Sequence, residues 1–294
     1  MAEGQIRKAI SGFYYVEHDG ELIQCKSRGI FRLKGINPLV GDLVTYVPDG
    51  ENDATITDVH PRKSELVRPP IANVDQVLLV FSVVEPDMSL RLLDRFLTVI
   101  ESHQLEPIIY VSKEDLADKQ TVENNEANLA YYQNIGYTVL RNSSPEESLL
   151  EVLRPYISEK TTVLAGQSGV GKSTLLNTIL PELDLKTGEI SDALGRGKHT
   201  TRHVELIEIA KGLVADTPGF SSLDFEHIDR EELRDYFVEI REAGAGCKFR
   251  GCLHVKEPGC AVKAQVEEGT ISEGRYKNYL LFLQEITDRK PRYS

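Results

Sequence analysis

Hydrophobic and polar positions change their rhythm twice along this chain. Up to about residue 66 the apolar residues come in short runs separated by turn formers. Gly12-Phe13-Tyr14-Tyr15-Val16 leads to His18-Asp19-Gly20, Glu21-Leu22-Ile23-Gln24-Cys25 comes next, and Asp42-Leu43-Val44-Thr45-Tyr46-Val47 ends at Pro48-Asp49-Gly50. Alternation broken by Gly and Asp turns predicts a small OB-like barrel of about five strands. From about residue 74 the rhythm becomes that of buried strands and amphipathic helices. Val77-Leu78-Leu79-Val80-Phe81 is an unbroken apolar run, and Leu90, Leu93, Phe96, Leu97 and Ile100 recur at helical spacing. Pro107 to Val111 and Tyr137 to Leu140 read as further strands, 146–156 as a helix, and Thr162 to Ala165 as a strand. Such a series predicts a mostly parallel sheet covered by helices. Beyond about residue 223 the pattern is helical, with a Cys/His segment inserted before a final helix. The expected domains are 1–66, 67–224 and 225–294.

Composition narrows the class. The 294 residues are 40% hydrophobic and 27% charged, ordinary for a globular protein that buries a core. The N-terminus has no apolar signal-like stretch, and the longest apolar run, Val77 to Val84 broken by Ser82, is too short to span a bilayer. A cytoplasmic protein with no membrane partner is expected. With 34 Lys and Arg against 46 Asp and Glu the net charge is -12, which argues against general nucleic-acid affinity but leaves room for local basic patches.

The sharpest chemical signal is Gly166-Gln167-Ser168-Gly169-Val170-Gly171-Lys172-Ser173, a G-x-x-x-x-G-K-[ST] phosphate loop. Its glycines let backbone N–H groups converge on phosphate oxygens, Lys172 reaches the outer phosphates, and the Ser173 hydroxyl would hold Mg²⁺. A strand leads in, and a helix beginning near Thr174 leads out and adds its dipole. The loop alone does not choose between ATP and GTP. Guanine differs by its N1–H and N2 amine, and a carboxylate that accepts from both favours it. The chain holds a single K-x-D, in Ser112-Lys113-Glu114-Asp115 directly after the strand ending at Val111. Asp115 would take the base, and Ser112 stands where Asn or Thr is usual, reaching less far. Asn142-Ser143-Ser144 comes after the next strand, where a second base-contacting loop is expected. Asp216-Thr217-Pro218-Gly219 matches D-x-x-G, with Asp216 toward Mg²⁺ and the Gly219 N–H toward the γ-phosphate.

The order is therefore base motif, base loop, phosphate loop and D-x-x-G, a rotation of the usual one. Carried on these motifs, the chain resembles the ribosome small-subunit-dependent GTPase A family of circularly permuted bacterial GTPases, over nearly its whole length. The resemblance implies an α/β P-loop GTPase domain, circularly permuted, with an N-terminal OB-like β-barrel and a C-terminal helical zinc-binding region. It also implies GTP hydrolysis to GDP, stimulated by the small ribosomal subunit, in late maturation of that subunit. The protein would act as a monomer bound to 16S rRNA.

Between the phosphate loop and Asp216 lies Gly195-Arg196-Gly197-Lys198-His199-Thr200-Thr201-Arg202-His203. Thr201, with Thr200 next, would complete the Mg²⁺ shell in a loop that orders around the γ-phosphate. Phe220 stands where other GTPases carry a water-orienting glutamine, so the polar group must come from elsewhere; His199 is the candidate, supported by the family's switch histidine. Cys247, Cys252, His254 and Cys260 offer three thiolates and an imidazole, suited to a closed, structural zinc site, and the family has a matching arrangement. Cys25, alone in the first domain, reads as a buried small apolar residue. Lys26, Arg28, Arg32 and Lys34 surround Phe31 in the barrel, and Lys248, Arg250, Lys256 and Lys263 surround the cysteines. Taken by themselves these runs read as solvated surface; the resemblance turns them toward rRNA. Two other classes remain: an ATP-using P-loop kinase, which Asp115 argues against, and a GTP-dependent RNA-binding switch with negligible catalysis of its own.

Overall fold

The computed structural model describes residues 1–33, 35–49, 53–67, 69–142, 148–180, 204–216 and 223–289, with Arg32 and Asp216 described by their backbone alone. The first alternating stretch closes on itself. Strands β1 (Ala2–Ile10), β2 (Phe13–His18), β3 (Glu21–Ser27), β4 (Leu43–Pro48) and β5 (Asp53–Val59) form a closed barrel in the order β1-β2-β3-β5-β4. Ile6, Val16, Cys25, Val44 and Ile56, one from each strand, are fully buried in its core. Burial pushes the Cys25 thiol up to about 11, as befits an inert apolar filler. Helix α1 (Gly29–Leu33) comes after β3 and turns Phe31 into the same core, leaving it only 5% exposed. The reading that set Phe31 among the basic groups as an aromatic platform is thereby corrected: a ring committed to the core cannot stack on a base.

Polar contacts fasten the barrel to the segment that connects it to the large sheet. Arg62 donates to both carboxylate oxygens of the buried Asp42, at 2.7 and 2.8 Å, and the Asn73 amide donates to the Gly41 carbonyl at 2.9 Å. Strands β6 (Glu65–Leu66) and β7 (Ile71–Ala72) pair in the connection.

The second rhythm yields β8 (Gln76–Ser82), α2 (Leu90–Ser102), β9 (Glu106–Ser112), α3 (Lys119–Asn134), β10 (Thr138–Arg141), α4 (Leu149–Ile157), β11 (Thr161–Ala165), α5 (Lys172–Ile179), β12 (Leu206–Ile209) and β13 (Gly212–Asp216). The sheet order is β10-β9-β8-β11-β13-β12, parallel throughout except for the β12–β13 pair. Every residue of β8 is buried because helices cover both faces. Val77, Leu79 and Phe81 join one core with α2, while Leu78 and Val80 join the other with Leu150 and Leu153 of α4 and Leu175 and Leu176 of α5. The strands encoded first lie on one side of β11 and those encoded last on the other. That is the layout required if the base motif, read first, is to sit beside the phosphate loop.

The final part packs on α2. After a 3₁₀ turn (Leu233–Tyr236) come α6 (Val238–Gly244), α7 (Ala261–Glu267) and α8 (Glu273–Asp288). Arg95 of α2 stacks its guanidinium 4.3 Å from the Phe225 ring and donates to the Leu223 carbonyl and to Glu285 of α8. No helix among the described residues is long and apolar enough to cross a membrane.

Candidate functional site

Parallel strands deliver their C-terminal ends to one edge, where α/β sheets place their sites. Register shows which ends meet. Ser82 pairs with Ser112, Ala165 with Leu79, Leu164 with Asp216, and Arg141 with Val111. The base motif, the phosphate loop and the start of the D-x-x-G segment therefore share this edge, although they are far apart in sequence and out of the usual order.

The phosphate loop runs from the end of β11 to the start of α5. Gly166 has φ +135°, and a Cβ there would fall 2.3 Å from the Val80 carbonyl oxygen, so no other residue fits the approach of this loop to β8. The Lys172 ammonium donates to the carbonyls of Gly166 and Gln167 at 2.8 and 2.9 Å, which curls it over the loop it serves. Gln167, Ser168, Gly169, Ser173 and Thr174 are exposed, while Val170 is buried and anchors the loop to the core. The loop's open side and the N-terminus of α5 form one face that suits an anion.

The base motif is tied to that loop through one side chain. The Ser112 hydroxyl lies 2.7 Å from the Val170 carbonyl oxygen and 3.3 Å from that of Phe81, and donates inward rather than toward solvent. The short serine thus acts as a clasp between base motif and phosphate loop. Sequence reasoning weighed Ser112 only as a weaker base contact and missed this, since nothing local pairs residues 112 and 170. Lys113 takes up the left-handed conformation, φ 59°, and its ammonium donates to the Glu85 carbonyl in the loop after β8. Glu114, Asp115 and Leu116 form one 3₁₀ turn, which leaves the Asp115 carboxylate exposed at the edge.

Ser143, Ser144, His199, Thr200, Thr201 and Gly219 lie outside the described residues, and Asp216 is placed by its backbone at the end of β13.

In the C-terminal region the four predicted metal ligands converge. One ligand atom from each of Cys247, Cys252, His254 and Cys260 lies within 4.8 Å of the others. The separations are 3.6 Å from Cys247 Sγ to His254 Nδ1, 3.4 Å from that nitrogen to Cys260 Sγ, and 3.9 Å between the two sulfurs. A tetrahedron with zinc–sulfur bonds of about 2.3 Å and zinc–nitrogen bonds of about 2.0 Å has edges of roughly 3.5–3.8 Å, so the set fits zinc. The neighbours hold the ligand backbone. Tyr276 and Tyr279 of α8 donate to the carbonyls of His254 and Leu253, and Arg234 donates to those of Arg250 and Cys252. The Glu257 carboxylate accepts three backbone N–H groups, from Leu253, Val255 and Lys256. Neither Arg234 nor Glu257 stands out in the sequence, since each supports the loop through backbone contacts that carry no residue signature.

Residues 59–226 match the RsgA GTPase family, and residues 3–56 match the RsgA N-terminal domain family. The chain is 57% identical to the small ribosomal subunit biogenesis GTPase RsgA of Bacillus anthracis, and 55% identical to that of Bacillus subtilis, each over the full length of both chains. Its structure is similar to that of YloQ, a circularly permuted GTPase, with a TM-score of 0.85 and 50% identity, covering all of this chain and 97% of the other. YjeQ from Thermotoga maritima is similar as well, with a TM-score of 0.83 at 37% identity over 98% of this chain and 99% of the other. Membership of a GTPase family implies that a guanine nucleotide is bound, and the similarity to circularly permuted structures makes the rotated motif order a property of the fold. The chain belongs to the RsgA GTPase family and is a circularly permuted, GTP-hydrolysing enzyme.

Proposed function

We propose that this GTPase works in the cytoplasm on the small ribosomal subunit, late in its maturation, as a monomer that docks on 16S rRNA and is released when GTP is hydrolysed. The full-length correspondence with relatives named small ribosomal subunit biogenesis GTPases carries this reading. The exposed Lys26 of the barrel and the Lys248, Arg250 and Lys256 group around the cysteines support docking through both regions, against an acidic average. The working division is a barrel at 1–66, a GTPase domain at 67–224 and a zinc-binding helical region at 225–294.

Each group has its part in this reading. Asp115 accepts the guanine N1–H and N2 amine, with Lys113 and Glu114 shaping its turn and Ser143 and Ser144 closing over the base. Gly166 to Thr174 cradle the phosphates, and Lys172 faces the outer ones. Ser173, Thr201 and Asp216 hold Mg²⁺, which when bound neutralises phosphate charge, and the Gly219 N–H senses the γ-phosphate. His199 positions the water. Cys247, Cys252, His254 and Cys260 hold a zinc ion that supplies cross-linking and no chemistry, since all four positions are filled by protein.

Two experiments test the proposal. GTP turnover with and without purified small subunits should rise by at least about tenfold on addition of subunits, in keeping with partner-ordered switch loops in other GTPases. Equal rates with and without subunits would remove the ribosomal assignment while leaving the GTPase standing. For the metal, Cys252→Ser should lose stoichiometric zinc and cost about 3 kcal/mol or more of stability, because the ion closes a loop that otherwise rests on a few backbone contacts. Elemental analysis and urea unfolding read the two effects, and a zinc-free parent of unchanged stability would refute the structural role.

A further inference from the structure

The last residue of β10 is an arginine to which the nucleotide chemistry gives no part. Arg141 pairs with Val111 in parallel register, so it stands beside the strand end that launches Ser112-Lys113-Glu114-Asp115. Its Nη1 lies 2.6 Å from Glu126 Oε2 on α3 and 3.6 Å from Glu114 Oε1. Glu114 is the central residue of the base motif and shares a single 3₁₀ turn with Asp115. The Arg141 and Glu114 side chains are 22% and 23% exposed, which makes this contact far less screened than a solvent-facing pair.

The electrostatics favour one arrangement of the turn. Burial raises the Glu114 carboxyl, Glu126 raises it further, and Arg141 is the cation that opposes both. Two carboxylates thus converge on one guanidinium, and without it they repel each other across the gap between the turn and α3. Glu114 and Asp115 share a turn of only three residues, so anchoring the Glu114 side chain on Arg141 restrains the backbone that carries Asp115.

We infer that Arg141 is a positioning residue for guanine recognition, holding Glu114 so that the neighbouring Asp115 carboxylate stays aimed at the base. This rests on the reading of Asp115 as the base contact. Arg141 touches no part of the nucleotide and acts on the base only through the turn.

The test compares GDP with inosine diphosphate, which lacks the 2-amino group and so removes one of the two hydrogen bonds to Asp115. The ratio of their affinities measures how well that carboxylate is aimed, whereas general loosening of the site weakens both nucleotides alike. Arg141→Met keeps the length and removes the charge. It should lower GDP affinity by about fivefold, the scale of one partly screened ion pair, and shrink the ratio by a similar factor. Arg141→Lys should restore most of the ratio, and thermal melts of all variants confirm that they are folded. Asp115→Ala serves as the reference, with a ratio near unity. An unchanged ratio in Arg141→Met beside a collapsed one in Asp115→Ala overturns the role of Arg141 alone, as does an equal loss for both nucleotides. An unchanged ratio in Asp115→Ala overturns the base-contact reading itself, and this inference with it.

Discussion

Arg275→Met should destabilise the protein by about 3–5 kcal/mol, seen as an apparent melting temperature lower by roughly 10 °C. Arg275 sits on α8 with only 3% exposure, donating to both oxygens of Glu239 at 2.7 and 2.9 Å and to Asp94 of α2 at 2.7 Å. Its guanidinium lies 4.7 Å from the Phe237 ring and 5.3 Å from that of Tyr132. Asp94 also accepts from the Tyr132 hydroxyl and from Asn278. Burial alone would press the guanidinium to give up its proton, but Asp94 and Glu239 outweigh it and hold the charge. Methionine fills the volume yet leaves two buried carboxylates without a cation, and the desolvation they suffered on folding is then uncompensated. Urea unfolding followed by circular dichroism reads the loss, and a variant as stable as the parent would show that the network contributes no net stability. Phosphate-side chemistry should suffer less, because α5 packs on the other face of the sheet.

This network shows where sequence reasoning stops. In Glu273-Gly274-Arg275-Tyr276-Lys277 an arginine looks like one more surface charge, and only packing against α2 and α6 reveals it as a core residue. Helix α3 was equally hidden. Its sequence is polar on nearly every face, with Leu129 and Tyr132 its only buried residues, so no amphipathic stripe announces it. Strand β1 was missed for the same reason: of its nine residues Ile6 alone is buried. What could be read were features with a period or a fixed spacing. The unbroken apolar run of β8, the spaced leucines of α2 and the glycine pattern of the phosphate loop each encode their own geometry.

The candidate site divides along the same line. The convergence of Cys247, Cys252, His254 and Cys260 was legible because ligand types at short spacing leave few alternatives. The Ser112 clasp on Val170 and the Arg141 support of Glu114 were not, since both span elements that only the sheet order brings together. The barrel taught the opposite lesson. Phe31, set among Lys26, Arg28, Arg32 and Lys34 that the family resemblance turned toward rRNA, is instead carried by the first turn after β3 into the barrel core.

In the proposed function, a carboxylate encoded ahead of the phosphate loop folds beside it and selects guanine. β9 and β11 both neighbour β8 in parallel, so Asp115 and Lys172 end at the same edge. Guanine offers Asp115 two N–H donors, whereas xanthine carries a carbonyl in place of the amine and would set oxygen against oxygen. Replacing the carboxylate by an amide turns one acceptor into a donor and reverses that logic. The parent should prefer GTP to xanthosine triphosphate by on the order of a thousandfold, the scale of a site built to pair with groups its competitor lacks. The deciding measurement is the ratio of GTP to xanthosine triphosphate turnover in Asp115→Asn: the ratio should invert in favour of xanthine, and a variant that still favours guanine as the parent does would contradict the account.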